Sequence, residues 1–103
     1  MEKLMFRFPT TKELLSKSHV GVVGSGDLEI LMEPSEGDYA EVIVRTGTTG
    51  FKETWSAVLE RFFSQHDVSA MIKINDFGAT PGVVTLRLSQ ALEVANDVGY
   101  AKK

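Results

Sequence analysis

The sequence predicts an α+β fold: one small domain, with a mixed sheet of about five strands packed against two helices, both on one face. Three observations point there. Short runs between residues 4 and 46 alternate apolar with polar side chains, the period of half-buried strands. A stripe from Phe51 to Phe62 instead repeats at helical spacing. A strand, helix, strand order then links residues 39–46, 51–62 and 70–74, and such a crossover is right-handed and joins parallel strands. At 103 residues the chain has the ordinary size of one domain around one core, so residues 1–103 are expected to form a single unit.

The elements follow in order. Leu4, Phe6 and Phe8 share one side of a first strand, which Pro9 ends because proline cannot donate to a ladder. Residues 10–18 are polar and predicted irregular. Val20-Gly21-Val22-Val23 and Asp27-Leu28-Glu29-Ile30-Leu31-Met32 then read as a hairpin joined by a tight turn at Gly24-Ser25-Gly26, closing near Glu33-Pro34. Ser35-Glu36-Gly37-Asp38 is a turn signal. From Tyr39 to Thr46, Val42 and Val44 take one face while Glu41, Ile43 and Arg45 take the other.

Gly47-Thr48-Thr49-Gly50 breaks that strand, and a helix begins. Phe51, Trp55, Val58, Leu59 and Phe62 form its apolar stripe, at roughly 1.5–3 kcal/mol per buried side chain. Ala70, Ile72 and Ile74 form the next strand. The last segment carries two patterns. Val84, Leu86 and Leu88 alternate as in a strand, whereas Val84, Leu88, Ala91, Leu92 and Ala95 fit a helical face. Helix is the preferred reading, because Thr80 can cap it and Pro81 then occupies the first helical position. Strand over 83–88 is the alternative, and Gly99 to Lys103 is expected to fray.

Composition excludes several function classes. The chain contains no cysteine, so disulfides, thiolate metal sites and an intrinsic thiol nucleophile are ruled out. A net charge of −3 without a basic stripe argues against nucleic-acid binding. No apolar run reaches the roughly 18 residues of a membrane span, and no signal-peptide core opens the chain, so a cytoplasmic protein is expected. His19 and His66 share no metal-ligand spacing. His66 reads as a residue capping the end of a helix, and Trp55 and Phe62 as core. Asp27, Glu29 and Glu33 read as one solvated strand face, and no metal site is expected. Asp76-Phe77-Gly78 matches a kinase triplet by coincidence, within a tight connection to the last helix.

One hydroxyl, that of Ser25, is presentable at a glycine-flanked tip. It is no nucleophile elbow, because a strand pattern follows it and no histidine is placed as its base. A phosphate cradle fails for the same reason, since a helix N-terminus should follow the glycines. No catalytic residue emerges. Two readings stay open for Ser25, a site of covalent modification or a plain turn in an unmodified small assembly subunit, beside the disfavoured third of a small enzyme using Asp76 or Glu29.

Val20 to Glu29, with Ser25 at its centre, resembles the modification-site segment of the malonate decarboxylase acyl carrier (delta subunit) family. Ile74 to Val84, Leu86-Arg87-Leu88, Gln90-Ala91, Phe6 to Pro9 and Leu59 to Phe63 resemble the same family. A more distant similarity links the region to the citrate lyase acyl carrier (gamma) subunit. The resemblance implies a non-catalytic carrier whose Ser25 bears 2′-(5″-phosphoribosyl)-3′-dephospho-CoA through a phosphodiester, with acetyl and malonyl carried on the terminal thiol. It implies Gly24, Gly26 and Asp27 as the turn that partners approach. The implied partners are an acyltransferase (alpha) subunit, decarboxylase (beta and gamma) subunits and a prosthetic-group transferase.

Overall fold

Leu4, Ile30, Met32, Val42, Val44, Ile72 and Ile74 project from four strands onto one face of the sheet, and all are buried. Their even spacing is what places them there, since alternate side chains of a strand point to opposite faces. A computed structural model describes residues 1–96, and the expected fraying of Gly99 to Lys103 lies outside them. The elements are β1 (Glu2–Pro9), β2 (Ser18–Gly21), β3 (Leu28–Pro34), β4 (Tyr39–Thr46), α1 (Lys52–Gln65), β5 (Ala70–Asp76) and α2 (Pro81–Asn96). The five strands form one sheet in the order β1-β4-β5-β3-β2. Only β4 and β5, the pair joined through α1, run parallel. The remaining neighbours are antiparallel.

Both helices cover the same sheet face. Trp55, Leu59 and Phe62 of α1 and Val84, Leu88, Ala91 and Ala95 of α2 join the strand residues in one core cluster. Phe63 is half-buried and stacks on Phe8 of β1, with ring centroids 4.6 Å apart. Among the described residues no helix is long and apolar enough to cross a membrane.

The second helix resolves the ambiguity over 83–88. Thr80 caps it twice: Oγ1 accepts the Val83 N–H at 3.3 Å and its carbonyl accepts the Val84 N–H at 3.0 Å. Pro81 follows at the first helical position, where its missing N–H leaves nothing unsatisfied. Leu86 falls off the buried stripe and is exposed, as helical spacing requires.

Three expectations need correction. Phe51 is 51% exposed rather than part of the α1 stripe. It is the residue before the first turn, with ψ at 20°, so its ring leaves the helical repeat. Segment 10–17 is irregular as expected but not wholly polar-exposed, and the irregular stretch ends one residue early. Leu14 is core, the Lys12 carbonyl accepts the Ser69 N–H at 2.7 Å, and the Ser16 hydroxyl reaches the Ala95 carbonyl at 2.9 Å. Ser18 already belongs to β2, donating its hydroxyl to the Ala91 carbonyl of α2 at 2.8 Å.

The third correction concerns the hairpin turn. β2 ends at Gly21, and Val22 and Val23 are exposed in a loop that runs to Asp27. Gly21 permits this early exit. Its φ is +93°, and a Cβ there would lie 2.0 Å from the Leu28 carbonyl oxygen. The chain therefore leaves the ladder sooner than a two-residue turn would allow, yet Ser25 still sits at the middle of the connection.

Candidate functional site

Sheet register gathers three connections at one end of the molecule. Leu28, which opens β3, lies opposite Asp76, which closes β5, and Thr46, which closes β4, lies opposite Asp76 as well. The loop of residues 22–27 thus adjoins the connections that follow β4 and β5. Ser25 is exposed within it.

The loop has a defined turn at its centre. The Asp27 N–H donates to the Gly24 carbonyl at 3.2 Å, with Ser25 and Gly26 as the two central residues. Gly26 has φ of +79°, the conformation that the second central position of a type II turn demands. Two further backbone bonds fasten this turn to its neighbour. The Gly26 N–H donates to the Phe77 carbonyl at 2.7 Å, and the Phe77 N–H donates to the Asp27 carbonyl at 2.9 Å. Ser25 is therefore flanked on its C-terminal side by main chain that cannot drift freely.

Asp27 binds the loop to α2. Arg87 Nε donates to Asp27 Oδ1 at 3.1 Å, and Arg87 Nη2 donates to Oδ2 at 2.6 Å. The Leu28 N–H also donates to Oδ1, at 2.7 Å. Such a fork matches carboxylate geometry and adds direction to charge. The Arg87 hydrogen bond, reinforced by the Leu28 N–H, holds the Asp27 carboxyl below the usual carboxylate range. The same bond raises the Arg87 guanidinium above its ordinary value. Gln90 steadies the arginine from one helical turn on, accepting from Nη1 at 3.0 Å.

Gly24, Ser25, Gly26 and Asp27 are thus together in one loop, while the other polar residues singled out from sequence stand elsewhere. The expected common face of Asp27, Glu29 and Glu33 does not include Asp27, whose carboxylate turns to α2. Glu29 lies on the open sheet face. It accepts from Asn75 Nδ2 at 2.9 Å and lies 2.7 Å from His19 Nε2, and these bonds lower its pKa. His66 caps α1: its N–H donates to the Phe62 carbonyl at 3.0 Å and its ring tilts against Phe62. Neither histidine belongs to the Ser25 loop. Among the described residues no group of three or more His, Cys, Asp or Glu side chains could hold a metal ion.

Asp76 closes the neighbouring connection. It is buried, accepts the Thr46 hydroxyl at 2.8 Å on Oδ2, and accepts the Ala79 N–H at 2.9 Å on Oδ1. Its kinase-like triplet is therefore a structural turn, and Phe77 of that triplet supplies both backbone bonds to the Ser25 loop.

Comparison with known proteins decides the family. The family model described as the acyl carrier protein, malonate decarboxylase delta subunit (MdcD), matches residues 16–95. The chain belongs to the malonate decarboxylase delta subunit family. Members of this family are carriers rather than catalytic subunits. The chain is 46% identical to the malonate decarboxylase acyl carrier protein of Azotobacter vinelandii, over 95% of this chain and 100% of that relative. It is 47% identical to the corresponding protein of Stutzerimonas stutzeri, over 97% of this chain and 99% of the relative. The delta-subunit fold also matches a chain in the crystal structure of a Pseudomonas malonate decarboxylase hetero-tetramer in complex with malonate. That match has a TM-score of 0.88 and 44% identity, covering 92% of this chain and 99% of that one.

The residues that sequence reasoning missed are Arg87 and Phe77. Arg87 stands 60 positions from Asp27, so no local pattern links them. The fork becomes visible only once α2 is laid over β3.

Proposed function

We propose that this chain, acting over residues 1–103 as one domain, is the acyl carrier of a malonate decarboxylase, and that Ser25 is where its prosthetic group is attached. The observation that supports this most is the exposure of Ser25 in a loop fastened by Phe77 and Arg87, in a chain of the delta-subunit family. The group is 2′-(5″-phosphoribosyl)-3′-dephospho-CoA, joined to the Ser25 hydroxyl as a phosphodiester. Once attached, it supplies a terminal thiol for acetyl and malonyl thioesters, which a chain without cysteine cannot supply.

The residues present fit such a group. A Cβ built on Gly24 or Gly26 would meet nothing within 4 Å, so the space on either side of the hydroxyl is open. A transferase, and later a catalytic pocket, can come close to the backbone there. The Asp27 carboxylate is committed to Arg87, so activation of the Ser25 hydroxyl falls to the transferase. Asp27 serves partner approach by holding the loop in place.

The partners in this reading are an acyltransferase (alpha) subunit and decarboxylase (beta and gamma) subunits in the cytoplasm. The hetero-tetrameric assembly of the Pseudomonas relative supports it. A tethered acyl group stays at high effective concentration near successive active sites, so the carrier needs no catalytic machinery of its own.

The test is intact mass of protein purified from its native host. A mass increment should be present, vanish in Ser25→Ala, and be accompanied by one titratable thiol. Because Ser25 is exposed, the variant should fold normally. An unmodified native mass, or an increment that survives in Ser25→Ala, would overturn the assignment.

A further inference from the structure

The connections after β4 and β5, with the first turns of α1 and α2, line a half-open cavity of about 400 Å³. That is the size of a small-molecule site. Phe51, Trp55, Val58, Ala79, Pro81 and Val84 give it largely apolar walls. Two features distinguish it from a packing fault. Phe51 presents half of its surface to solvent at the start of α1, uncovered by the fold. Gly78, part of the lining, adjoins the Ser25 loop: a Cβ on it would lie 3.8 Å from the Gly26 nitrogen.

The geometry points to this cavity as the seat of the adenine base of the group carried on Ser25, an inference that rests on Ser25 being the attachment point. The order of linkage favours the base over the thiol end. The phosphoribosyl unit joins the serine to the ribose of the adenosine, so the purine lies near the anchor while the pantetheine thiol is remote. A purine is flat and largely apolar on its faces, and the exposed ring of Phe51 offers aromatic surface to match, with the edge of the buried Trp55 in the wall behind it. The phosphates suit this cavity poorly. Its ionisable lining residue is Asp76, whose carboxylate would repel them. Seating the base shortens the mobile part of the arm. Little affinity is needed. A short flexible tether holds its end at an effective concentration of order millimolar, so a free-ligand Kd of about 1 mM leaves the seat roughly half occupied.

Trp55 is the only tryptophan in the chain and serves as the reporter. Unmodified protein, carrying Ser25→Ala to prevent attachment, is titrated separately with AMP, dephospho-CoA and phosphopantetheine. Trp55 emission and the amide resonances of Thr48, Gly78 and Ala79 are followed. AMP and dephospho-CoA should shift both signals and phosphopantetheine should not. Phe51→Ala, an exposed position, should weaken AMP binding about two- to tenfold. No response to AMP at tens of millimolar, or a response to phosphopantetheine alone, would overturn the inference. Attachment at Ser25 is read independently, from the mass of the native protein, so failure of one reading does not imply failure of the other.

Discussion

Arg87 on α2 grips Asp27 at the base of the Ser25 loop with two hydrogen bonds, of 3.1 and 2.6 Å. A residue of the second helix therefore sets the position of a loop on the far side of the sequence. The backbone bonds through Phe77 hold the same loop from a second direction. Removing the fork should loosen the loop without unfolding the domain. In Arg87→Ala, amide hydrogen exchange at Gly26 and Phe77 should accelerate and transferase-catalysed modification of Ser25 should slow. Arg87→Lys should fall between, because an ammonium keeps the charge but cannot form the fork. Unchanged exchange at both amides would show that the backbone bonds suffice.

The loop glycines should separate cleanly on substitution. Gly21→Ala meets the Leu28 carbonyl oxygen at 2.0 Å and must adopt a φ near +93°, so it should be strongly destabilising. Gly26→Ala has open space but a φ of +79°, so only the left-handed strain applies, roughly 1–2 kcal/mol. Gly24→Ala has neither problem and should keep the wild-type fold. Denaturant midpoints of the three variants check this order. Any slowing of modification in Gly24→Ala would then report steric access to Ser25 rather than stability.

Much of this arrangement is legible in the one-dimensional pattern, for reasons that particular residues make plain. The even spacing of Ile30, Met32, Val42, Val44, Ile72 and Ile74 carries the sheet face, because strand periodicity needs only local information. Thr80-Pro81 likewise marks the start of α2 through cap chemistry confined to a few residues. Phe51 misled because a residue on the helical stripe can still lie just outside the first turn. The turn at Gly24-Ser25-Gly26 was legible, but the end of β2 was not: apolar Val22 and Val23 resemble strand, whereas the constraint sits on Gly21 and depends on the Leu28 carbonyl across the hairpin. Ser25 was visible from its glycines, but Arg87 and Phe77 were not. Contacts that depend on how α2 and β5 are placed against β3 leave no local signal.

Acid should weaken the fold through three carboxylates. Asp27, Glu29 and Asp67 are all held below their ordinary pKa values. The main causes are hydrogen bonds from Arg87 to Asp27, from Asn75 and then His19 to Glu29, and from the Thr11 hydroxyl and N–H to Asp67. A lowered native pKa means the unfolded chain binds more protons, so stability rises with pH across that window. The contribution is complete above the unfolded carboxylate range of about 4–4.5 and is lost as pH falls through the native values. Tm should be level between about pH 5.5 and 7 and decline below about pH 4.5. Asp67→Asn should remove part of that decline. A Tm that rises on acidification would contradict the assignment.

Thr46 joins the ends of the two parallel strands and offers the sharpest stability test. It is fully buried, its hydroxyl donates to Asp76 Oδ2 at 2.8 Å, and its oxygen accepts the Thr48 N–H at 3.2 Å. Thr46→Val keeps the shape but deprives a buried carboxylate of its donor and the Thr48 N–H of its acceptor. Leaving a buried polar group unsatisfied costs about 1–3 kcal/mol, so the denaturant midpoint should drop accordingly with an unchanged m-value. Thr46→Ser restores both bonds and gives up one methyl group, about 0.8 kcal/mol. Serine should therefore be the milder variant if hydrogen bonding dominates, and the harsher one if packing does. The consequence extends to the proposed attachment loop, because Asp76 immediately precedes Phe77, whose N–H and carbonyl hold the Ser25 loop. Exchange at the Gly26 amide should accordingly rise in Thr46→Val and stay near wild type in Thr46→Ser.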